Sequence, residues 1–418
     1  MAAVQGRRQP VFQRPEAQSR RHKPDYLLLV ISALLLCVGL VVVYSISPGL
    51  AVEKEVSGSY FINRQLLAVG LGIVAFAVTA SMPLSIWGRL QRPLLIGAVV
   101  AALGVRLLGE EVNGAYRWIQ VGGFSFQAAE LIKFALLVWL AGFLAQRIKE
   151  GALSDFTQTF RPLLIALLAL GIVVAGVQSD LGSTGVMVAM VGIMAFVAGI
   201  PMKRVLAIGG IVLVVAVMAI AASDYRRDRL TTFLNPTQDC LSTGYQACQA
   251  LIAVGSGGLM GLGLGNSVQA YGYLPEAEND SIFAIYAEKF GFVGVAVLLG
   301  LFLAFFSRLK RIIERAPDNF TRLLVTGVFV WLSVQAIINI GAMVGLLPLK
   351  GITLPFISYG GTSVLFIMAA VGLVFQISRY TLYSIPEEGS VKGGSPYENS
   401  SDRRRVRGAY HPNSGSRT

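Results

Sequence analysis

The chain has 418 residues, of which 54% are hydrophobic and 14% are charged. Ordinary soluble domains carry roughly 25% charged residues, so the composition excludes a conventional soluble enzyme and a disordered protein. With only 3 cysteines, the chain is not a secreted disulfide scaffold. Basic residues beside membrane spans explain the net charge of +12 better than nucleic acid binding does.

The chain begins with a polar and basic segment, residues 1–25, which we interpret as a disordered cytoplasmic arm. It does not resemble a signal peptide, because the apolar run after it is long enough to span a membrane and no cleavage site follows. Apolar runs of roughly 20 residues predict membrane-spanning helices. Such runs cover 26–47, 60–81, 93–109, 127–145, 162–178, 182–200, 204–222, 281–306, 323–347 and 358–378.

These runs predict an all-α polytopic membrane protein of about ten transmembrane helices. Most of the 35 lysines and arginines lie on one side of the membrane if the N-terminus is inside, and such residues favour the cytoplasmic side. Both termini are therefore expected in the cytoplasm, which agrees with an even number of spans. The runs 162–178 and 182–200 also fit one broken pair around a polar turn, since only the stretch Gln178-Ser-Asp-Leu separates them.

Beyond the spans, the sequence divides into a single membrane domain, 26–380, and a basic tail, 381–418, which we expect to be disordered and cytoplasmic. The tail carries the basic run 403–407, which fits either a solvated tail or contact with anionic lipid headgroups or a cytoplasmic partner.

One extracytoplasmic loop, 223–280, stands out between spans 7 and 8, because loops of this length are usually functional or disordered. Its apolar stretches indicate that it is ordered and lies partly in the membrane interface. Cys240 and Cys248 lie in this loop, where a disulfide can form. The spacing alone fits a disulfide or two free thiols.

Ionisable residues at membrane depth are costly and therefore indicate function. Glu130 and Lys133 are three residues apart, so they share a helix face and can pair. Four cations are expected near the outer face, and arginine in particular binds phosphate through two parallel hydrogen bonds. These cations, which can hold a pyrophosphate or merely anchor the chain at the interface, are Arg117, Arg226, Arg229 and Lys350.

Asp280 ends the long loop where span 8 begins. A carboxylate beside low-dielectric lipid is suited to act as a general base. An aspartate at this position can also cap the following helix, and the two roles are compatible. His22 and His411 lie in the predicted tails, no cluster of metal-ligand residue types is visible, and the sequence contains no phosphate-binding nucleotide loop.

An ordered series of motifs resembles the SEDS family (shape, elongation, division and sporulation) of polytopic peptidoglycan polymerases over roughly 26–380. The series comprises Arg117-Trp-Ile, Gln127…Glu130…Lys133, Asp180-Leu-Gly, Arg229…Phe233-Leu-Asn-Pro, Gly244-Tyr-Gln246, Gly255-Ser-Gly-Gly258, Leu274-Pro-Glu276, Asp280…Phe283-Ala284, Glu288, Gly291, Lys350-Gly and Leu354-Pro-Phe-Ile-Ser-Tyr-Gly-Gly361. The chain departs from the family pattern in several places, including Ala128-Ala129 before Glu130, Ser281 after the aspartate, and Lys289 in place of a second glutamate.

The resemblance implies an enzyme that polymerises lipid II at the outer face of the bacterial cytoplasmic membrane and releases undecaprenyl pyrophosphate. Asp280 is then the essential carboxylate that deprotonates the acceptor sugar hydroxyl. The expected substrate-binding residues are Arg117, Gln127, Glu130, Lys133, Asp180, Arg226, Arg229, Glu276, Lys350, Ser358 and Tyr359. A divalent cation, Mg²⁺ or Mn²⁺, can share the stabilisation of the pyrophosphate, and no organic cofactor is implied.

The resemblance also implies partners, namely a class B penicillin-binding protein with transpeptidase activity and other proteins of the division machinery. The stretches 225–229, 261–267 and 273–276 favour the division branch of the family, and hence the division septum, over the elongation branch. Two other functions stay open: a flippase that moves lipid II without chemistry, and a scaffold that recruits partners through its tails. A flippase needs no base at Asp280, and the absence of an evident inverted repeat argues against a transporter.

Overall fold

The computed structural model describes residues 19–112, 115–121, 124–178, 180–221, 227, 231, 233, 240–242 and 244–382. Eight helices in these ranges are long and apolar enough to cross a membrane. They begin and end within a few residues of most predicted apolar runs, and the protein is a multi-pass membrane protein.

The helices are numbered in chain order. They are α1 Tyr26–Glu53, α2 Tyr60–Ser81, α3 Leu84–Leu108, α4 Ala128–Glu150, α5 Arg161–Leu170, α6 Leu181–Ala198, α7 Met202–Ala221, α8 Tyr245–Ser256, α9 Ile282–Arg315, α10 Asn319–Met343 and α11 Gly361–Ile377. Two π-helical segments, Phe156–Phe160 and Gly171–Val177, extend α5 at both ends, and Phe156–Gly176 is a single candidate span. The two helices α7 and α11 coincide with the other two predicted runs.

Helix ends are set by local capping. The Asp25 carboxylate accepts a hydrogen bond from the Leu28 amide at 3.1 Å, where α1 begins. Asp318 and Thr321 form a capping box at the start of α10. Each satisfies amides that the first helical turn leaves without intrahelical partners.

Helices α4 and α10 form the centre of the bundle. Helix α10 packs against α4, α6, α9 and α11, and most of both central helices is buried. Helices α2 and α3 lie further out and expose large apolar side chains, including Leu66, Ile73 and Val100. Apolar side chains on the outside of a bundle are expected where the surrounding solvent is lipid.

A small sheet between α3 and α4 corrects the all-α prediction. Its antiparallel strands are β2 Glu110–Val112, β3 Ala115–Val121 and β4 Phe124–Gln127, in the order β2-β3-β4. Val121 pairs with Phe124. The sequence signal was two runs rich in aromatic and β-branched residues separated by two glycines, which is typical of a hairpin.

The two ends of the described body also form strands. Strand β1, Ser19–Arg21, pairs antiparallel with strand β5, Tyr380–Leu382. Residues 19–25 belong to the segment expected as a disordered arm; in the structure Ser19–Arg21 and His22 make backbone hydrogen bonds to the other chain end, and Asp25 caps α1. Such a short polar strand has no apolar pattern that would reveal it in the sequence.

Helix α9 contains a kink at Gly291, whose φ is +62°. A Cβ atom there would lie 2.3 Å from the Gly261 nitrogen. The segment 257–263 therefore packs directly on the helix backbone, and amides at the kink are satisfied by it: Phe292 donates to the Gly258 carbonyl at 2.9 Å and Val293 to that of Leu259 at 3.1 Å. Much of the long loop predicted at 223–280 is thus ordered structure joined to α9.

Candidate active site

Asp280 lies at the end of a tight turn, residues 274–281, immediately before α9. Its side chain is largely buried, with 8% of the residue exposed. Asn339 on α10 donates to the Asp280 carbonyl at 2.7 Å. Gln246 on α8 donates to a carboxylate oxygen of Asp280 at 3.5 Å and to the Ser281 hydroxyl at 3.1 Å. Helix α8 therefore contacts the carboxylate, and α10 fixes the backbone of the same residue.

The segment 354–359 is hydrogen-bonded to the same turn. The Ser358 hydroxyl donates to the Asn279 carbonyl at 2.6 Å and accepts from the Leu354 amide at 2.7 Å. The Tyr359 amide donates to the Glu278 carbonyl at 2.8 Å. Both residues were predicted to bind substrate, and in the structure these groups position the Asp280 turn.

The turn is also tied to the end of α1. Lys54 forms an ion pair with the buried carboxylate of Glu278. Burial disfavours the Lys54 charge, but the hydrogen bond to Glu278 and the nearby carboxylates outweigh it and raise the pKa of Lys54. Glu276 has a φ of +52°, a conformation that costs a non-glycine residue about 1–3 kcal/mol. Its exposed carboxylate accepts from the Asn279 amide group at 2.6 Å.

Asp280 and Lys350 line one small cavity, together with Asn339. Its volume is about 10 Å³, which is near the space that a single water molecule needs. The structure therefore places the predicted base and one predicted phosphate ligand around the same opening, although 70 positions of sequence numbering separate them.

The N-terminus of α6 positions the Lys350 segment. Asp180 caps α6 by accepting from the Ser183 amide at 2.9 Å. A Cβ atom on Gly182 would lie 2.6 Å from the Ile352 side chain and 2.9 Å from the Lys350 carbonyl. The motif Asp180-Leu-Gly thus starts a helix and allows the segment 350–352 to lie against its first turn. The Asp180 side chain has this structural role and was predicted to bind substrate.

Glu130 and Lys133 form the predicted pair, with 2.7 Å between the Lys133 ammonium and a Glu130 carboxylate oxygen. Both residues are almost fully buried. The Lys133 ammonium also donates to the Gln335 side-chain oxygen at 2.8 Å, and the Trp331 indole donates to the same oxygen at 2.9 Å. A buried ion pair is tolerated where further hydrogen bonds offset its desolvation.

Two amides on α10 connect this pair to the Asp280 cavity. Gln335 donates to the Thr353 carbonyl at 3.1 Å, and Asn339, one turn later, donates to the Ile352 carbonyl at 2.7 Å. Asn339 also holds the Asp280 carbonyl. One face of α10 therefore fixes the segment 350–353, the Asp280 turn and the Glu130–Lys133 pair relative to one another.

The remaining predicted substrate-binding residues have other contacts or lie wholly or partly outside the residues that the structure describes. The backbone N–H of Gln127 donates to the Thr362 hydroxyl at 3.0 Å and fixes the start of α4 against α11. Arg117 lies on β3, but its side chain is outside the described part of the structure. Arg226 and Arg229 lie outside the described residues.

The structure joins Cys240 and Cys248 in a disulfide, with 5.6 Å between the Cα atoms. Cys248 lies on α8, two residues after Gln246, the residue that contacts Asp280. The disulfide therefore fixes the start of the helix that approaches the carboxylate.

Sequence reasoning missed Gln335, Asn339 and the Lys54–Glu278 pair. A signal for the two amides was present, because they are four residues apart in an otherwise apolar span and must share a face. Polar side chains in such a span require partners. No comparable signal marks Lys54, because a single lysine just after a span is common.

The family model described as "Cell cycle protein", which covers FtsW, RodA and SpoVE, matches residues 25–383. The chain belongs to this family. The predicted SEDS membership is thereby confirmed over nearly the whole membrane body.

Individual relatives agree with this membership. "Probable peptidoglycan glycosyltransferase FtsW" of Saccharophagus degradans is 41% identical over 363 residues, covering 85% of this chain and 92% of the relative. "Stage V sporulation protein E" of Bacillus subtilis is 38% identical over 372 residues, covering 87% of this chain and 100% of the relative.

Solved structures share the fold. The rod shape determining protein RodA of Thermus thermophilus has a TM-score of 0.62 at 26% identity, over 85% of this chain and 97% of that one. A chain from a peptidoglycan synthase complex, studied for its coordination of polymerization and crosslinking, has a TM-score of 0.70 at 26% identity, over 85% and 98% of the two chains.

Proposed function

We propose that the chain is an FtsW-like peptidoglycan glycosyltransferase that polymerises lipid II into glycan strands and releases undecaprenyl pyrophosphate. Family membership supports the reaction class, and one observation carries its assignment to this site. A buried carboxylate, Asp280, and a cation, Lys350, line the same small cavity, and Asn339 joins their two backbone segments through the Asp280 and Ile352 carbonyls.

In this proposal Asp280 takes the proton of the acceptor sugar hydroxyl. The hydroxyl oxygen then bonds to the anomeric carbon of the donor sugar, and the bond from that carbon to the pyrophosphate oxygen breaks with its electron pair. A positioned general base typically contributes about 10²–10⁴-fold to a rate. Lys350 is placed to stabilise the negative charge that develops on the departing pyrophosphate.

The other cations remain proposed phosphate ligands. Arg117, Arg226 and Arg229 are assigned to the same pyrophosphate groups by the resemblance and by the preference of arginine for phosphate. The ion pair of Glu130 and Lys133 is proposed to act through Gln335, as a rigid support beneath the site.

A divalent cation, Mg²⁺ or Mn²⁺, is proposed to share the charge of the pyrophosphate. Among the described residues no three Asp, Glu, His or Cys side chains cluster as a metal cage. Mg²⁺ usually binds through one or two carboxylates together with substrate phosphates and water. Asp280 fits that limited role, and the cation would supply electrostatic stabilisation of the leaving group.

We further propose ten spans with both termini in the cytoplasm. The eight candidate spans make ten together with α7 and α11, and the pairing of strand 19–21 with strand 380–382 supports a common side for both ends of the described body. The Asp280 turn then faces the outer side, where lipid II is polymerised. The basic segments 1–25 and 381–418 are proposed to be the cytoplasmic arm and tail.

The division septum is the proposed location, because FtsW is the name of several relatives that share 36% to 41% identity with this chain. The proposed partners are a class B penicillin-binding protein and other division proteins. The structural neighbour from a complex that couples polymerization to crosslinking supports such a partner.

The test is a glycan polymerisation assay with the purified full chain, its transpeptidase partner and labelled lipid II. Wild type is compared with Asp280→Asn, which keeps the shape and removes the base. Asp155→Asn is the matched control, because Asp155 only caps a helical segment in an exposed loop and asparagine caps equally well.

Polymer from wild type and from Asp155→Asn, and a loss of at least about hundredfold in folded Asp280→Asn, would support the proposal. Equal polymer from all three proteins would remove Asp280 as the base. Lipid II translocation in vesicles without polymer from any of them would favour a flippase instead.

A further inference from the structure

A second cavity lies where the two ends of the described body meet the end of α9. Its volume is about 360 Å³, within the range of small-molecule sites. The cavity is lined by the segment 22–27, by Ser378 and Tyr380, and by side chains of α9 between Arg308 and Arg315. It is separate from the candidate active site, because Ile282 and Arg311 are roughly 40 Å apart along α9.

The walls of this cavity are built by specific contacts. The Arg308 guanidinium binds the Asp25 carboxylate, with nitrogen–oxygen distances of 2.8 and 3.1 Å. The Asp25 amide donates to the Ser378 hydroxyl at 3.0 Å, and the His22 amide donates to the Arg379 carbonyl at 2.8 Å. Helices α1 and α9 and the strand pair are therefore tied together around the opening.

The cavity has an excess of positive charge. Four cations line it, namely Lys23, Arg308, Arg311 and Arg315, against the single carboxylate of Asp25. Asp25 is already bound to Arg308. Within the described part of the chain, Arg311 and Arg315 form no ion pair, whereas Lys310 lies 3.9 Å from Glu314.

The spacing of the arginines adds a repulsion between them that a bound anion would relieve. Arg308, Arg311 and Arg315 are three and four residues apart, so they share one face of α9. Like charges at this spacing repel each other. The C-terminal end of a helix favours cations, but that effect alone does not require them to line a common cavity. An anion with several oxygen atoms would offset the repulsion and satisfy the guanidinium groups.

The rim of the cavity indicates that the anion belongs to a lipid. Tyr26 and Leu27 line the cavity and are 57% and 49% exposed. They begin α1, so their apolar surface continues onto a span that faces the bilayer. Basic pockets between transmembrane helices on the cytoplasmic side are typical binding sites for anionic lipid headgroups.

We propose that this cavity, defined by Lys23, Arg308, Arg311 and Arg315, binds the phosphate of an anionic phospholipid of the cytoplasmic leaflet. Tyr26 and Leu27 contact the glycerol and acyl region of that lipid. The site goes beyond the proposed polymerase function and depends only on the proposed topology for the choice of leaflet.

The test uses the full chain in nanodiscs of phosphatidylcholine with a small fraction of phosphatidylglycerol or cardiolipin. Lipid that stays bound on release from the disc is measured by native mass spectrometry. The variant is Arg311→Gln/Arg315→Gln. The matched control is Arg89→Gln/Lys310→Gln, which removes two charges at the same membrane side, one exposed on α3 and one paired with Glu314.

Each cation near the headgroups contributes roughly a fivefold gain in affinity, so the variant should bind the anionic lipid about 30-fold more weakly. The control should bind it like wild type. Equal binding by all three proteins would overturn the site. The thermal unfolding of each protein in neutral lipid shows whether the variant is folded, and the readout does not depend on polymerase activity.

A second arm separates a lipid from a free phosphate compound. Inorganic phosphate is added to the protein in pure phosphatidylcholine discs, and binding is followed by the shift in thermal unfolding. We expect no shift at millimolar phosphate. A shift that disappears in the arginine variant, together with no retained anionic lipid, would overturn the lipid assignment in favour of a soluble phosphate ligand.

Discussion

Asn339 fixes the position of Asp280 through the backbone: its side-chain amide donates to the Asp280 carbonyl and to the Ile352 carbonyl, each at 2.7 Å. One buried side chain on the central helix α10 therefore joins the turn that carries the proposed base to the segment that carries Lys350. A variant of Asn339 can therefore test how Asp280 is positioned without removing the proposed base.

Replacement of Asn339 by alanine should impair positioning. Two buried carbonyls lose their donor, at a cost of about 1–3 kcal/mol each. We expect kcat for polymerisation to fall about tenfold or more, with KM for lipid II changed less, because the reacting groups are misplaced while most substrate contacts remain. Steady-state polymerisation kinetics would measure the two constants.

The control for this change is Asn266→Ala, which removes an exposed asparagine that donates to the Leu262 carbonyl. It should leave kcat unaltered. If Asn339→Ala lowered only the melting temperature and left kcat intact, Asn339 would be a stabilising residue without influence on Asp280.

The Glu130–Lys133 pair should be more sensitive to half-removal than to full removal. Lys133→Met leaves a buried carboxylate without its cation, a change that costs about 3–5 kcal/mol. The double variant Glu130→Gln/Lys133→Met leaves no buried charge and should recover most of the lost stability. Thermal unfolding of wild type, the two single variants and the double variant gives the coupling free energy between the two side chains. Additive losses of stability would show that the two residues do not form a coupled pair.

Gly182 should tolerate no larger residue. The Cβ of Gly182→Ala would meet the Ile352 side chain at 2.6 Å and the Lys350 carbonyl at 2.9 Å, so the segment 350–352 must shift. We expect polymerisation to fall several-fold. Gly185→Ala, on the same helix, meets nothing within 4 Å and should keep full activity. Equal activity of the two variants would show that the segment moves without consequence.

The kink of α9 gives a similar matched pair. Gly291→Ala combines a positive φ with a Cβ 2.3 Å from the Gly261 nitrogen, and it should prevent the segment 257–263 from packing on the helix. Gly300→Ala lies in open space on the same helix and should raise stability by about 0.5–1 kcal/mol. The yield of folded protein and its melting temperature distinguish these outcomes; a well-folded Gly291→Ala protein would refute the packing argument.

The Lys54–Glu278 pair predicts a dependence on alkaline pH. The folded-state pKa of Lys54 is raised above the ordinary 10.5, so the stability it contributes is fully present below that pH and is lost as pH rises through the folded pKa. Because the Lys54 side chain is 46% exposed, solvent screening keeps the effect small. The difference in melting temperature between wild type and Lys54→Met should be constant from pH 7 to 9 and shrink above about pH 10.5.

The membrane body was largely predictable because the cost of exposing polar backbone and side chains to lipid is a local property of the sequence. The runs at 60–81 and 182–200 correspond closely to Tyr60–Ser81 and Leu181–Ala198. Strand pairing was less visible: the sheet around Ala115–Val121 is short, and its hydrophobic pattern covers only a few residues.

Within the candidate site, the sequence by itself determined the pairing of Glu130 with Lys133, because residues three apart on a helix must share a face. Only the tertiary structure decided that Lys350 would share a cavity with Asp280, and that Gln335 and Asn339 would hold both segments. The physical reason is that a polar residue in a span shows that a partner is needed, while the identity of that partner depends on which helices pack together.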